Sequence, residues 1–170
     1  MSNLNILKKR IDILEVNNPS CVFRINIDVL NEAFGIGRGM YAKAIYPDTK
    51  GKWIPGVNTS EKYHIWMPKM YGNSSGWKNV ITVDGKQIHE YIEGDIDVED
   101  FMESEDAYDK GYGTKTGSRL TFIKESPNAP YKFVGVFKTL KAEHCNHIYE
   151  RVATKVQIIG NPVSGIRVIE

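Results

Sequence analysis

The sequence predicts an α+β domain: short N-terminal helices followed by a curved or barrel-like, mostly antiparallel sheet. Three observations carry that expectation. Helical spacing of apolar residues is confined to roughly the first 45 positions. From Tyr63 onward, short alternating runs rich in Val, Ile, Tyr and Phe are punctuated by Gly, Pro and Asp. No strand–helix alternation occurs, which argues against a doubly wound nucleotide-binding fold.

The elements follow in order. Ser2 or Asn3 caps a first helix through about Val16, with Leu4, Leu7, Ile11 and Leu14 along one stripe. Asn17-Asn18-Pro19-Ser20 ends it, because the residue before a proline is pushed out of the helical region. Val22 to Ile27 alternates and reads as a strand. Asp28 suits the cap of a short helix, Val29 to Phe34, that stops at Gly35, and a further helical piece covers Met40 to Ile45. Tyr63 to Met67 is a strand bounded by Pro68. Val80 to Val83, Asp84-Gly85 and Lys86 to Ile92 compose a hairpin with a tight turn. Four more strands are expected over Ser118–Lys124, Tyr131–Leu140, Ile148–Ile159 and Ile166–Ile169.

A chain of 170 residues fits one domain, 1–170, with an acidic insertion at about 90–109. Hydrophobic residues make up 41% and charged residues 25%, a balance that excludes a disordered chain. No apolar run approaches the roughly 20 residues of a membrane span, so no membrane partner is expected. The amino terminus has its basic cluster after its apolar residues, the reverse of a signal peptide. Two cysteines, Cys21 and Cys145, fit a reducing compartment better than a disulfide framework, so a cytoplasmic location is expected.

The net charge of +1 hides an asymmetry. Ten acidic residues lie from Glu90 to Asp109 with no Lys or Arg among them, so all 22 basic residues face only 11 acidic ones elsewhere. A basic body attracts a polyanion, although scattered surface Lys is the blander account. The acidic segment itself reads as solvated or partner-facing.

Candidate functional residues cluster between Trp53 and Trp77. Trp53, Trp66, Tyr71 and Trp77 are interleaved with Lys52, Lys62, Lys69 and Lys78. Aromatic faces stack on bases while nearby Lys meets phosphate. Asn79 follows Trp77, and an Asn amide makes bidentate contact with a base edge or caps a turn. Trp66, mid-strand, is equally a core residue. Gly35-Ile36-Gly37-Arg38-Gly39 resembles an anion-binding loop, with Arg38 and Lys43 placed to hold phosphate, and a plain turn is the simpler reading. Gly111 to Ser118 fails the P-loop pattern because Thr114 precedes Lys115 and a strand follows. His144, Cys145 and His147 are metal candidates only if Cys21, His64 or His89 supplies a fourth ligand. No resident cofactor is implied.

Tyr131-Lys132-Phe133-Val134-Gly135-Val136-Phe137, followed by the strand around Tyr149-Glu150-Arg151-Val152, resembles the PUA-like superfamily. Ile65-Trp66-Met67-Pro68-Lys69 and Gly76-Trp77-Lys78-Asn79 are similar to parts of domains in bacterial defence proteins. The resemblance spans roughly Tyr63 to Ile159. It implies a small curved-sheet domain that takes an unstacked, often modified base between aromatic rings. Trp66 and Trp77 are then ring candidates, Asn79 an edge reader, and Lys69, Lys78 and Arg38 phosphate contacts. The partner it implies is DNA or RNA, with a separate protein effector. Two alternatives stand beside it: a small metal-dependent nuclease or hydrolase, and a protein-interaction or inhibitor domain using the acidic segment.

Overall fold

The computed structural model describes residues 9–36, 63–72, 76–92, 118–143 and 146–170. Among these, strands form two sheets. The smaller holds β1 (Ile13–Glu15), β9 (Lys155–Ile159) and β10 (Gly165–Val168), in the order β1-β9-β10 and antiparallel throughout. The larger holds β3 (Tyr63–Trp66), β4 (Trp77–Ile81), β5 (Gln87–Ile92), β6 (Ser118–Lys124), β7 (Tyr131–Glu143) and β8 (Asn146–Ala153). Their order is β3-β6-β7-β8-β5-β4, with β2 (Val22–Phe23) added on β7. All its pairings are antiparallel except β3 with β6.

The α+β, curved-sheet expectation holds, but the barrel does not. Among the described residues the large sheet ends in β3 on one side and β4 on the other, with no ladder joining them. Register shifts at Thr121/Phe122, Val136/Phe137 and Thr139/Lys141 bend its central strands, since an extra residue on one strand sharpens local twist.

Three local expectations are corrected. The helix extending to Val16 gives way to β1, because Ile13, Leu14 and Glu15 find a ladder on Gln157, Val156 and Lys155. Tertiary pairing outweighs the helical spacing of Ile11 and Leu14. The strand beginning at Val22 stops at Phe23, and Asn26–Asp28 forms a helical turn that continues as a π-helix over Val29–Phe34. Asp28 makes no cap bond, whereas Gly35 does end the helix as expected, left-handed at φ +66°. The single strand expected over Ile148–Ile159 is two: β8 lies in the large sheet and β9 in the small one, and the chain crosses between them at Thr154. Residues 2–8, the helical piece at 40–45 and the Gly-rich loop at 111–117 lie outside the described residues.

The main core fills one face of the large sheet. Phe122 sits at its centre, with ring centroids 5.8 Å from Phe23, 5.9 Å from Phe34 and 5.3 Å from Phe133. Leu14, Val156, Ile158 and Ile166 of the small sheet close over it together with Leu30 of the helix. Cys21 is a free, buried thiol in this core. A second, smaller cluster lies apart from it and includes Ile88, Ile123, Val134, Phe137 and Tyr149, with Trp66, Met70 and Ile81 against it.

The β4–β5 hairpin forms where expected, with a wider loop than a two-residue turn. The loop runs from Thr82 to Lys86 because the Asp84 side chain organises it. Asp84 Oδ1 accepts from the Thr82 hydroxyl at 2.7 Å and the Lys86 N–H at 2.9 Å. These bonds hold the Asp84 carboxyl below its ordinary range, the Thr82 hydroxyl contributing most.

Candidate nucleic-acid interface

Alternation along β4 puts Trp77, Asn79 and Ile81 on one face, opposite Ile92, Glu90 and Ile88 of β5. Glu90 in turn faces His147 of β8, and Ile88 faces Tyr149. The ladders therefore set polar and aromatic side chains in a row across three strands.

That row is bonded together. Glu90 Oε1 accepts from the Tyr149 hydroxyl at 3.0 Å and lies 3.3 Å from His147 Nδ1. A carboxylate only accepts, so Nδ1 carries the proton in this contact. The His147 imidazole stacks on the Trp77 indole, centroids 5.2 Å apart at 26°. On the other side, Tyr149 contacts Trp66 at 4.9 Å, and the buried Arg119 guanidinium lies 4.3 Å from the Tyr149 ring and 4.5 Å from the Trp66 ring. Each such cation–π contact stabilises by about 0.5–2 kcal/mol. A continuous band thus runs from Trp66 to Trp77.

A pocket of about 220 Å³ opens beside Trp77. Its walls include Met70, Tyr71, Trp77, Lys78, Asn79 and Tyr91. Asn79 is only 8% exposed, yet its Oδ1 has no hydrogen-bond partner among the described residues. A buried unmatched polar atom costs about 1–3 kcal/mol. Whichever way the amide is turned, it leaves hydrogen-bonding capacity open at this wall.

Of the residues singled out from the sequence, Tyr71, Trp77, Lys78 and Asn79 meet at this pocket. Trp66 does not. Its ring is spent on Tyr149 and Arg119, so it supports the band from behind. Lys69 is exposed, its backbone bridges Lys124 of β6, and it is not among the residues that line the pocket. Trp53, Arg38, Lys43, His144 and Cys145 lie outside the described residues, as do residues 93–109 of the acidic segment. Glu90, read as part of a solvated stretch, instead accepts bonds on the sheet face. His147 is committed to Glu90 and Trp77, and no group of three or more metal-binding side chains forms among the described residues. Asp84, weighed as a fragment of a nuclease site with Lys86, is the loop's own organiser.

Sequence reasoning gives no site role to Tyr91, Glu90, Tyr149 or Arg119, and it reads His147 as a metal candidate where the structure stacks it on Trp77. The available signal was polar residues at inward positions of β-prone runs, where an unpaired polar group is costly and must find partners.

The amino-acid sequence matches the SET and RING associated domain, SRA, over residues 15–158. The chain belongs to the SRA family. SRA domains are PUA-like, base-flipping domains that bind DNA containing modified bases, and the resemblance read from Tyr131–Phe137 and Tyr149–Val152 leads to the same superfamily. Among solved structures, the SRA domain described here is similar to the 5-hydroxymethylcytosine-specific restriction enzyme AbaSI, with 25% identity and a TM-score of 0.42. The match covers 64% of this chain and 31% of that one, so the chain spans about a third of that enzyme. No curated protein matches the sequence. Among the described residues, no helix is long and apolar enough to cross a membrane.

Proposed function

We propose that this SRA domain reads one modified base in DNA by receiving it, unstacked, in the pocket beside Trp77. The observation that carries the reading is the buried Asn79 Oδ1, without a hydrogen-bond partner among the described residues, set next to an indole that stacks on His147. Taking a base out of a duplex costs a few kcal/mol. Stacking on Trp77, with Tyr71 and Tyr91 in the same pocket, returns about 1–3 kcal/mol per ring, and the Asn79 amide supplies an edge contact. Lys78, on the neighbouring position of β4, meets the flanking phosphate. To Arg38 and Lys43 we assign phosphate contact, and to Trp53 base contact, on the strength of their residue types. The setting we infer is bacterial or phage defence, or nucleic-acid modification, in the cytoplasm, with reading separated from an effector protein. The free Cys21 thiol fits such a compartment.

The test is a fluorescence-anisotropy titration with duplexes that differ at one cytosine: unmodified, methylated or hydroxymethylated. The reading expects one duplex to bind at least tenfold tighter than the others. Trp77→Ala should weaken that binding by about 5- to 150-fold, as loss of one stacking ring implies. Asn79→Ala should shrink the discrimination while leaving the salt dependence intact. Equal affinity for all three duplexes overturns the proposal.

A further inference from the structure

The pocket beside Trp77 has an outer and an inner end. Gly72 and Gly76 mark the outer one: both are exposed, and a Cβ at either would meet no described atom within 4 Å. Lys78 and Val80 are exposed as well. The inner wall is made by Asn79, the one buried residue among those described at the pocket, and by Met70. Of the described lining residues, only Met70 also packs against the second apolar cluster, where Trp66 and Ile81 pack too.

The backbone fixes Met70 in that place. Its N–H donates to the Lys124 carbonyl at 2.8 Å, and the Lys124 N–H donates to the Pro68 carbonyl at 3.3 Å. The segment from Pro68 to Met70 is thereby tied to the end of β6. Trp77, Tyr71 and Tyr91 bring rings to the pocket, and Asn79 brings an amide. Met70 brings neither. Its thioether is only a weak acceptor, so its contribution is bulk.

Size and orientation give that bulk a consequence. A volume of about 220 Å³ equals about seven water molecules at roughly 30 Å³ each, the scale of one pyrimidine with a small added group. A base that enters keeps its glycosidic bond toward the outer end, because its sugar stays on the strand. The opposite edge of a cytosine, with the C4 amino group and C5, then faces inward. The amino group is a donor for Asn79 Oδ1, which has no partner among the described residues, and the group at C5 meets Met70.

We infer that Met70 determines specificity at this site: it closes the inner end of the pocket and limits the length of the group a base carries at C5. This rests on the base reading above and narrows it to cytosines whose C5 group is no longer than hydroxymethyl. A longer group collides with the Met70 chain. An apolar wall discriminates by size at roughly 10- to 200-fold per methylene.

The test is a size series in the full chain, read by fluorescence anisotropy. The duplexes carry hydrogen, methyl, hydroxymethyl or the longer, rigid propynyl group at C5 of one cytosine. The unaltered chain should bind the propynyl duplex at least tenfold more weakly than the best of the other three. Met70→Ala removes Cγ, Sδ and Cε and should bring the propynyl duplex within threefold of that best one. Met70→Val should act in the same direction to a smaller extent, and it carries the test if Met70→Ala does not fold. Met70→Leu, of similar volume, should keep the original ratio. Ile81→Ala loosens the same cluster from outside the pocket and should leave the ratio within twofold, whereas a merely structural role for Met70 makes the two alanine variants behave alike. Two results overturn the inference while leaving the base reading intact: tight propynyl binding by the unaltered chain alongside discrimination among the shorter groups, or a ratio unmoved by shortening Met70. Equal affinity for all four duplexes removes the base reading itself, and the inference with it.

Discussion

The two faces of the large sheet solve opposite problems. One packs Phe122, Phe133, Leu120 and Val136 against the helix and the small sheet and excludes polar side chains almost entirely. The other carries a band of Trp66, Arg119, Tyr149, Glu90, His147 and Trp77, satisfied by specific contacts between rings, charges and hydroxyls. An apolar face gains stability from buried area and close packing, through contacts that need no donor or acceptor. A polar face gains it only when each partner is in place, which makes it rigid and selective. The first face therefore holds most of the fold together, and the proposed base pocket opens beside the second.

The largest effect should come from the first face. Phe122→Ala removes the ring at the meeting point of Phe23, Phe34 and Phe133 and should cost about 3–5 kcal/mol, read as a lower denaturant midpoint. If the faces are independent, the surviving folded fraction still binds the duplex with unchanged affinity.

On the second face, Glu90→Ala should cost less, about 1–3 kcal/mol, by stripping the charged acceptor from His147 and Tyr149. Its sharper readout is Trp77 fluorescence. Loss of the Glu90 anchor frees the imidazole beneath the indole, and the emission should move to longer wavelength without global unfolding. An unchanged emission would show that Trp77 is held without this band.

Acid should act locally at the hairpin loop. The folded Asp84 carboxyl lies below its ordinary range, so the stabilisation it gives is present above that range, near pH 4, and is lost as pH falls through the depressed value. Hydrogen exchange of the Lys86 amide should therefore accelerate, beyond its intrinsic pH trend, only in strong acid. In Asp84→Asn that extra step should be absent.

The smallest effect concerns Cys21. Burial pushes its thiol above the usual value, against the opposing hydrogen bond from the Glu15 N–H. The contribution of the neutral thiol is complete below the unfolded value and is lost as pH rises through the folded one. Thiol labelling at pH 8 should be slow in the native state and fast in denaturant.

The later strands and the hairpin were legible because alternation and turn residues are local signals. Phe133, Val134, Val136 and Phe137 read as a strand wherever they pack. Gly35 likewise marked its helix end. The first strand was not legible, because Leu14 satisfies helical spacing as well as a ladder and only its partner Val156 decides between them. The division at Thr154 was hidden for the same reason: β8 and β9 read as one run until they join different sheets. At the site, Tyr71, Trp77, Lys78 and Asn79 stood close in the sequence and could be grouped. Glu90 and His147 are separated by 57 positions, and register alone brings them together. The role of Trp66 depended on Arg119 and Tyr149, which no local pattern connects to it.

The side-by-side, same-direction pairing of β3 with β6 has a kinetic corollary. Its partners Tyr63 and Ser118 lie 55 positions apart, with the Trp77 hairpin between them in the chain. Long excursions of this kind assemble late. The pairing should then form more slowly in refolding than the β4–β5 hairpin, whose partners lie no more than 15 positions apart.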